Sequence, residues 1–459
     1  MTSSRGLVGW LLLAFFLLGT FPSANAIPAF ARKYGLRCSA CHEAWPMLNY
    51  FGQKFKDNGY QLMNDRDAPI WQNPSYWPVT FRITPFWHRE STDKVSVDTP
   101  AGPNAGLAKI TYSGFDLTGL DFHTGGTLEK NLSFYVLPSS DETGAFHFET
   151  VMGRFDYLFG SSWLNVKLGK FELDNLISEK RILTLTSISG VYETYHFIPV
   201  GDGNIFGQIG DNQLGVELMG HSVDDRTRYS AALISSTDGN VDVPYGSNSY
   251  SGFFTASQAF DAGKLGVERI GAYLMIGDAA VTYRTSGGVP ILSSGLGNKS
   301  FSREGFVGQF YFGKLDFQVL TQHGWDSAWF GAGYGDAPDG GANAAGATLP
   351  TGARAPTWNG YMVESHYTYS PQLIFIQRSE WERMSQQACP VGSCTADPMS
   401  SNLGNIDMYT FGYRYYPIMT SRAGFAWHNE YSWIRERGAA PDGSDLTSSS
   451  LLLGFDFDF

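Results

Sequence analysis

Ser449–Phe459, SSLLLGFDFDF, alternates along its length. Leu451, Leu453, Phe455, Phe457 and Phe459 take one parity, and Leu452, Gly454, Asp456 and Asp458 take the other. Successive strand residues point to opposite faces, so one face of this segment suits lipid and the other suits water. A soluble barrel alternates too, with its aromatic face turned inward, and parity does not separate the two. The terminal Phe459, an export signal and the strand tally favour a strand of a bacterial outer-membrane barrel. Upstream, strand-like segments recur near 79–88, 108–123, 132–138, 146–158, 163–172, 212–221, 226–236, 251–260, 267–278, 304–313, 314–323, 358–369, 372–383, 404–416, 421–433 and 449–459. These predict an all-β, 16-stranded antiparallel barrel over 77–459, and an even count is what closure in a bilayer requires.

The connections sort by length. Short ones fall at Gly160–Ser162, Ser222–Asp225, Gly313–Lys314, Tyr369–Pro371 and Pro417–Thr420, and long ones lie between them, as at Gly324–Thr357. Porins have this pattern of short periplasmic turns and long outer loops. The long link Leu173–Asp211 follows the fifth strand, where general porins fold a loop inward, and by analogy it constricts this channel. Parity predicts inward positions for Arg82, Thr84 and His88, for Met362, Glu364 and His366, and for Arg422, His428 and Glu430. Loop acids such as Asp93, Asp326 and Asp445 read as solvated charge that also concentrates cations near the entrance.

Composition agrees with this reading. The 459 residues include 53 Gly and 15% aromatics, and only 17% are charged, against about 25% in an ordinary soluble protein. The net charge of −12 comes without a basic block, which leaves no footprint for nucleic acid. Arg5, the apolar run Leu7–Leu18 and the small residues Ala24–Ala26 read as a signal peptide over 1–26. Twelve apolar residues are too few for a spanning helix, so any membrane crossing is by strands. Cys389 and Cys394 flank Pro-Val-Gly-Ser and are expected to form a short loop disulfide, stabilising by only about 2 kcal/mol.

Cys38, Ser39, Ala40, Cys41 and His42 form the single CxxCH of the chain. Two thiols one helical turn apart suit the two vinyl groups of one haem edge, with the next imidazole under the iron. A plain CxxC disulfide or a redox dithiol is the competing reading, but the strand-then-helix context of a thioredoxin site is absent. One covalent haem c is therefore expected on Cys38 and Cys41, with His42 axial. Met47, five residues past His42 on what reads as the same short helix, cannot reach the opposite face of the ring. Met63, beyond the Gly59 break, is the distal candidate, although a packed apolar side chain reads as well there. Met362, His366, Met408 and His428 are further candidates if the segment enters the barrel.

Pro28, Phe30, Ala31 and Arg32 precede the CxxCH, and Pro46, Leu48, Phe51, Gly52, Phe55, Asn58, Gly59 and Tyr60 follow it. With these residues, Ile27–Leu62 resembles the haem segment of the fused monohaem cytochrome-porins in the outer membranes of iron-oxidising bacteria. The resemblance covers about 36 residues; beyond them it is architectural. It implies a cytochrome segment with linker over 27–76 and electron flow from extracellular Fe(II), through the haem, to a periplasmic c-type cytochrome. That is an Fe(II) oxidase-type transfer without acid, base or nucleophile. Some 36 residues are too few to bury a haem alone, so the segment is expected to plug the barrel from the periplasmic side. Outward electron transfer to extracellular acceptors and a solute-conducting porin with a haem plug are the alternatives.

Overall fold

The computed structural model describes residues 29–44, 47–62, 79–140, 144–177, 194–197, 209–210, 212–235, 250–281, 283–284, 290–291, 297–328, 352, 354–387, 405–419 and 423–458. The signal peptide, Met63, Cys389, Cys394 and Arg422 lie outside them. Two short helices, α1 (Ala29–Tyr34) and α2 (Tyr50–Asp57), precede the strands. The barrel strands are β1 (Val79–Thr99), β2 (Gly102–Glu129), β3 (Leu132–Ser140), β4 (Phe146–Phe155), β5 (Asn165–Glu172), β6 (Asn212–His221), β7 (Thr227–Ser235), β8 (Tyr250–Asp261) and β9 (Val267–Val281). They continue as β10 (Gly297–Phe312), β11 (Leu315–Asp326), β12 (Thr357–Ser370), β13 (Leu373–Gln386), β14 (Ile406–Met419), β15 (Gly424–Glu436) and β16 (Leu446–Asp458).

Each strand pairs antiparallel with its chain neighbours, and β16 closes on β1 with Ile83 opposite Phe457 and Trp87 opposite Leu453. Closure of sixteen strands removes the unpaired edges that hydrocarbon would penalise. The alternation holds in space: Leu453 is 45% exposed on the outer face, whereas Leu452 is 5% exposed. Phe306, Tyr361, Phe375, Phe411 and Tyr431 stand on the same outer surface, an apolar exterior that only a lipid surround makes favourable.

Links of a few residues join β2 to β3, β6 to β7, β8 to β9, β10 to β11, β12 to β13 and β14 to β15. The start of β1 and the end of β16 lie at this short-turn end. The expected strands 79–88 and 108–123 prove too short, because β1 and β2 run for 21 and 28 residues as one hairpin. About 10 residues cross a bilayer, so this hairpin rises beyond it and its far part can be polar on both faces. Pro85 sits at a register shift in β1, where its missing N–H costs no ladder bond.

The interior is packed. A buried apolar cluster joins Phe55 and Tyr60 of the N-terminal segment to Phe171, Leu173, Phe253, Tyr273, Phe301, Leu320 and Met362 of the wall and its loops. Buried ion pairs lie beside it: Arg303–Asp326 at 2.9 Å, Arg378–Glu380 at 3.0 Å and His366–Asp316 at 2.6 Å. Asp326 is thus no solvated loop acid; it ends β11 inside the barrel.

Candidate functional site

Gly35, at φ +66°, ends α1, and Leu36 N–H donates to Ala31 O at 2.9 Å. The chain then makes one tight turn, Cys38–Ala40, in which Cys41 N–H and His42 N–H both donate to Cys38 O at 3.1 and 2.9 Å. Cys38 and Cys41 are in no disulfide and stand three positions apart on that turn, with His42 next along it. Burial lifts the Cys38 thiol to about 12, with the nearby Asp458 charge adding to it, and burial lifts Cys41 to about 11. Both sulfurs therefore stay protonated at neutral pH and are poor thiolate nucleophiles, which is unlike a redox dithiol.

Past His42 the expected common helix with Met47 does not form. The chain reverses instead: His42 bridges antiparallel to Leu48, and Glu43 N–H donates to Met47 O at 3.2 Å. Burial raises the Glu43 carboxyl to about 7, with the Asp316 charge second. Asn49 fixes the reversal. Its N–H donates to Cys41 O at 2.9 Å, its amide to Ala40 O at 3.1 Å, and its side-chain oxygen caps α2 by accepting from Gly52 N–H at 2.9 Å. Gly52 itself lies so close beneath the CxxCH turn that a Cβ there would stand 2.0 Å from Cys41 O.

This segment touches the wall around the ring. Met47 is 1% exposed, packs with Ile374, Ile376, Tyr416 and Ala426, and accepts from Gln318 Nε2 at 3.2 Å. Tyr50 donates to Asp224 O at 2.9 Å. Arg154 donates to the carbonyls of Lys56, at 2.8 Å, and Asp57, while Lys56 pairs with Glu172 at 3.2 Å. Arg228 bridges Asp57, at 2.7 Å, and Asp225 of the β6–β7 turn. Burial, then the Asp57 charge, raises the Asp225 carboxyl, and Arg228 partly offsets both. Phe30 stacks on Tyr60 at 4.9 Å, and Tyr60 on Tyr135 at 6.1 Å. Residues 29–44 and 47–62 thus make contacts with β3, β4, β5, β7, β11, the β6–β7 turn and β13–β15.

A second insert enters from the β5–β6 link, as the analogy with general porins predicts. Thr194 N–H donates to Glu380 at 2.8 Å, Gln322 donates to Thr194 O at 2.9 Å, and Phe197 meets Trp358 edge-on at 5.7 Å. The further histidine candidates are engaged elsewhere. His366 binds Asp316 and Glu364 through its two nitrogens, and His428 binds Glu430 and faces Asp456. Met408 packs with Phe197, Trp358 and Ile434, and Met362 lies in the large apolar cluster.

With 83% of the chain superposed on 99% of it, an anion-selective porin from Comamonas acidovorans is similar at 12% identity and a TM-score of 0.50. The fold is like a porin's. The outer membrane channel DcaP of Acinetobacter baumannii (10% identity, 83% and 97% coverage, TM-score 0.46) and OmpT of Vibrio cholerae (9%, 83% and 98%, 0.44) are also similar. No family model matches the chain, nor does any curated protein. Porins of this kind explain the wall, and the CxxCH segment inside it has to be read from its own residues.

Proposed function

We propose that this chain is an outer-membrane electron conduit carrying one covalent haem c. The observation that carries the reading is a CxxCH turn whose flanking residues Met47 and Asp57 bond to inward-facing wall residues of a closed barrel with an apolar outer face. Cys38 and Cys41 fit the group: they are in no disulfide and one turn apart, and His42, which follows, would bind its iron. A haem bound there supplies a reversible one-electron iron couple. The chain's own part is to hold that couple between two aqueous sides. Cys38 and Cys41 anchor it, Asn49 and Gly52 fix the turn beneath it, and Arg154 and Arg228 fasten the segment to the wall. Met63 would be the second protein donor to its iron. Electrons pass from extracellular Fe(II) towards a periplasmic c-type cytochrome.

A solute-conducting porin is the second reading, favoured by the fold alone. The packed interior speaks against it. In an open porin the inward residues line water, whereas here Met362, Glu364, His366, Arg378, Thr410, Arg414 and His428 are fully buried. Purified full-length protein tests both. The conduit reading expects a haem band that survives denaturing electrophoresis, reduction of that haem by Fe(II), and low conductance in planar bilayers. Absence of covalent haem, or porin-like conductance in the haem-loaded protein, overturns it. The midpoint potential then separates inward from outward electron flow.

A further inference from the structure

A cleft opens beside the CxxCH reversal, between Met47–Tyr50 on the segment and the wall formed by β7, β9 and β10. Its wall side is amphipathic. Val267 contributes an apolar surface, and Arg228, Arg269, Gln309 and Tyr311 contribute donors. The two arginines differ. Arg228 is bonded to the carboxylates of Asp57 and Asp225, which together carry one charge more than it does and also attract Arg269. Arg269, 6% exposed, is bonded only to neutral acceptors: the carbonyls of Arg226, at 3.2 Å, and Asp225, at 2.5 Å, and the Ser257 hydroxyl at 3.0 Å. Among the described residues no carboxylate lies within ion-pair distance of it.

Gln309 is the direct cross-strand partner of Arg269, and Tyr311 follows two positions along β10 on the same face. Neither side chain has a hydrogen-bond partner among the described residues. A guanidinium, an amide and a phenol thus converge on one side of a cleft whose other side is Met47–Tyr50, the stretch that reverses onto the CxxCH turn. That donor set matches a carboxylate, which takes charge-assisted bonds from arginine and neutral ones from the rest.

We propose that Arg269, with Gln309 and Tyr311, binds a propionate carboxylate of the haem, so that the acidic edge of the porphyrin lies in this cleft. The inference rests on the haem reading above. A cation beside the ring favours the reduced, less positive iron, so Arg269 holds the potential up.

The test uses purified full-length holoprotein, with covalent haem quantified on denaturing gels and the midpoint potential read by spectroelectrochemistry. Arg269→Gln is expected to keep the full complement of covalent haem and shift the potential downward. Arg269→Lys restores part of the shift and stands in if the glutamine variant does not fold. Lys264→Gln, an exposed charge in the β8–β9 turn, leaves the potential where it was. A haem-loaded Arg269→Gln protein with wild-type potential overturns this inference alone, whereas wild-type protein without covalent haem overturns the conduit reading. Acetate distinguishes a resident propionate from a passing solute. It leaves the wild-type haem spectrum unchanged if the propionate fills the site. A saturable acetate response in wild type that Arg269→Gln abolishes overturns the assignment.

Discussion

The barrel is entered twice, and the two inserts are held by different physics. At the short-turn end, residues 29–62 are fastened by charge: Arg154 on two carbonyls, Arg228 between Asp57 and Asp225, and Lys56 on Glu172. At the far end, residues 194–197 are held by two hydrogen bonds to Glu380 and Gln322 and by the Phe197–Trp358 contact. The first insert must be positioned and not merely packed, because its turn presents Cys38, Cys41 and His42 in one arrangement. The first segment combines ion pairs with apolar packing, and the second has two hydrogen bonds and one ring contact.

Variants at the two inserts separate these roles. Replacing Cys38 and Cys41 together by Ala has the largest expected effect: complete loss of covalent haem on denaturing gels, with the heat-modifiable mobility of a folded barrel retained. Arg228→Ala strands the buried Asp57 and Asp225 without their shared cation, a loss of about 3–5 kcal/mol. Limited proteolysis is expected to cut within 29–62 while the strands stay protected; an uncut segment counts against the charged latch. Phe197→Ala removes about 3 kcal/mol of packing at the other insert. It should raise single-channel conductance and leave haem content untouched, and equal loss of haem would show that the two inserts are not independent. Gly52→Ala pushes a methyl into the Cys41 carbonyl and costs about 1–3 kcal/mol of segment packing, read as a lower yield of haem attachment. Lys109→Ala breaks only the exposed pair with Asp93 on the projecting hairpin and should leave thermal unfolding unchanged within error.

The wall was largely legible in the sequence, for a local reason. Lipid demands an apolar residue at every second position, so Leu451, Leu453 and Phe455 declare their face without reference to any neighbour. The polar part of β1, Ser91–Thr99, gave no such sign because it stands clear of hydrocarbon, and its hairpin was underestimated. The CxxCH turn was legible because its spacing lies within five residues. The clamp on it was not. Arg154 and Asp57 lie nearly a hundred positions apart, and only barrel closure brings them together. Parity likewise turned His366 inward, but its capture by Asp316 depends on the β11–β12 register, which places the two directly opposite. Reading that register from the sequence would have removed His366 from the candidate iron ligands.

The N-terminal segment is made first, yet its contacts run from Tyr135 on β3 to Ala426 on β15. The cradle for residues 29–62 therefore comes into being only when the last strand zips onto the first. Any group joined to Cys38 and Cys41 has to be joined before that moment or pass the same end of the cylinder. Order of assembly is thus written into the connectivity: loading first, sealing second.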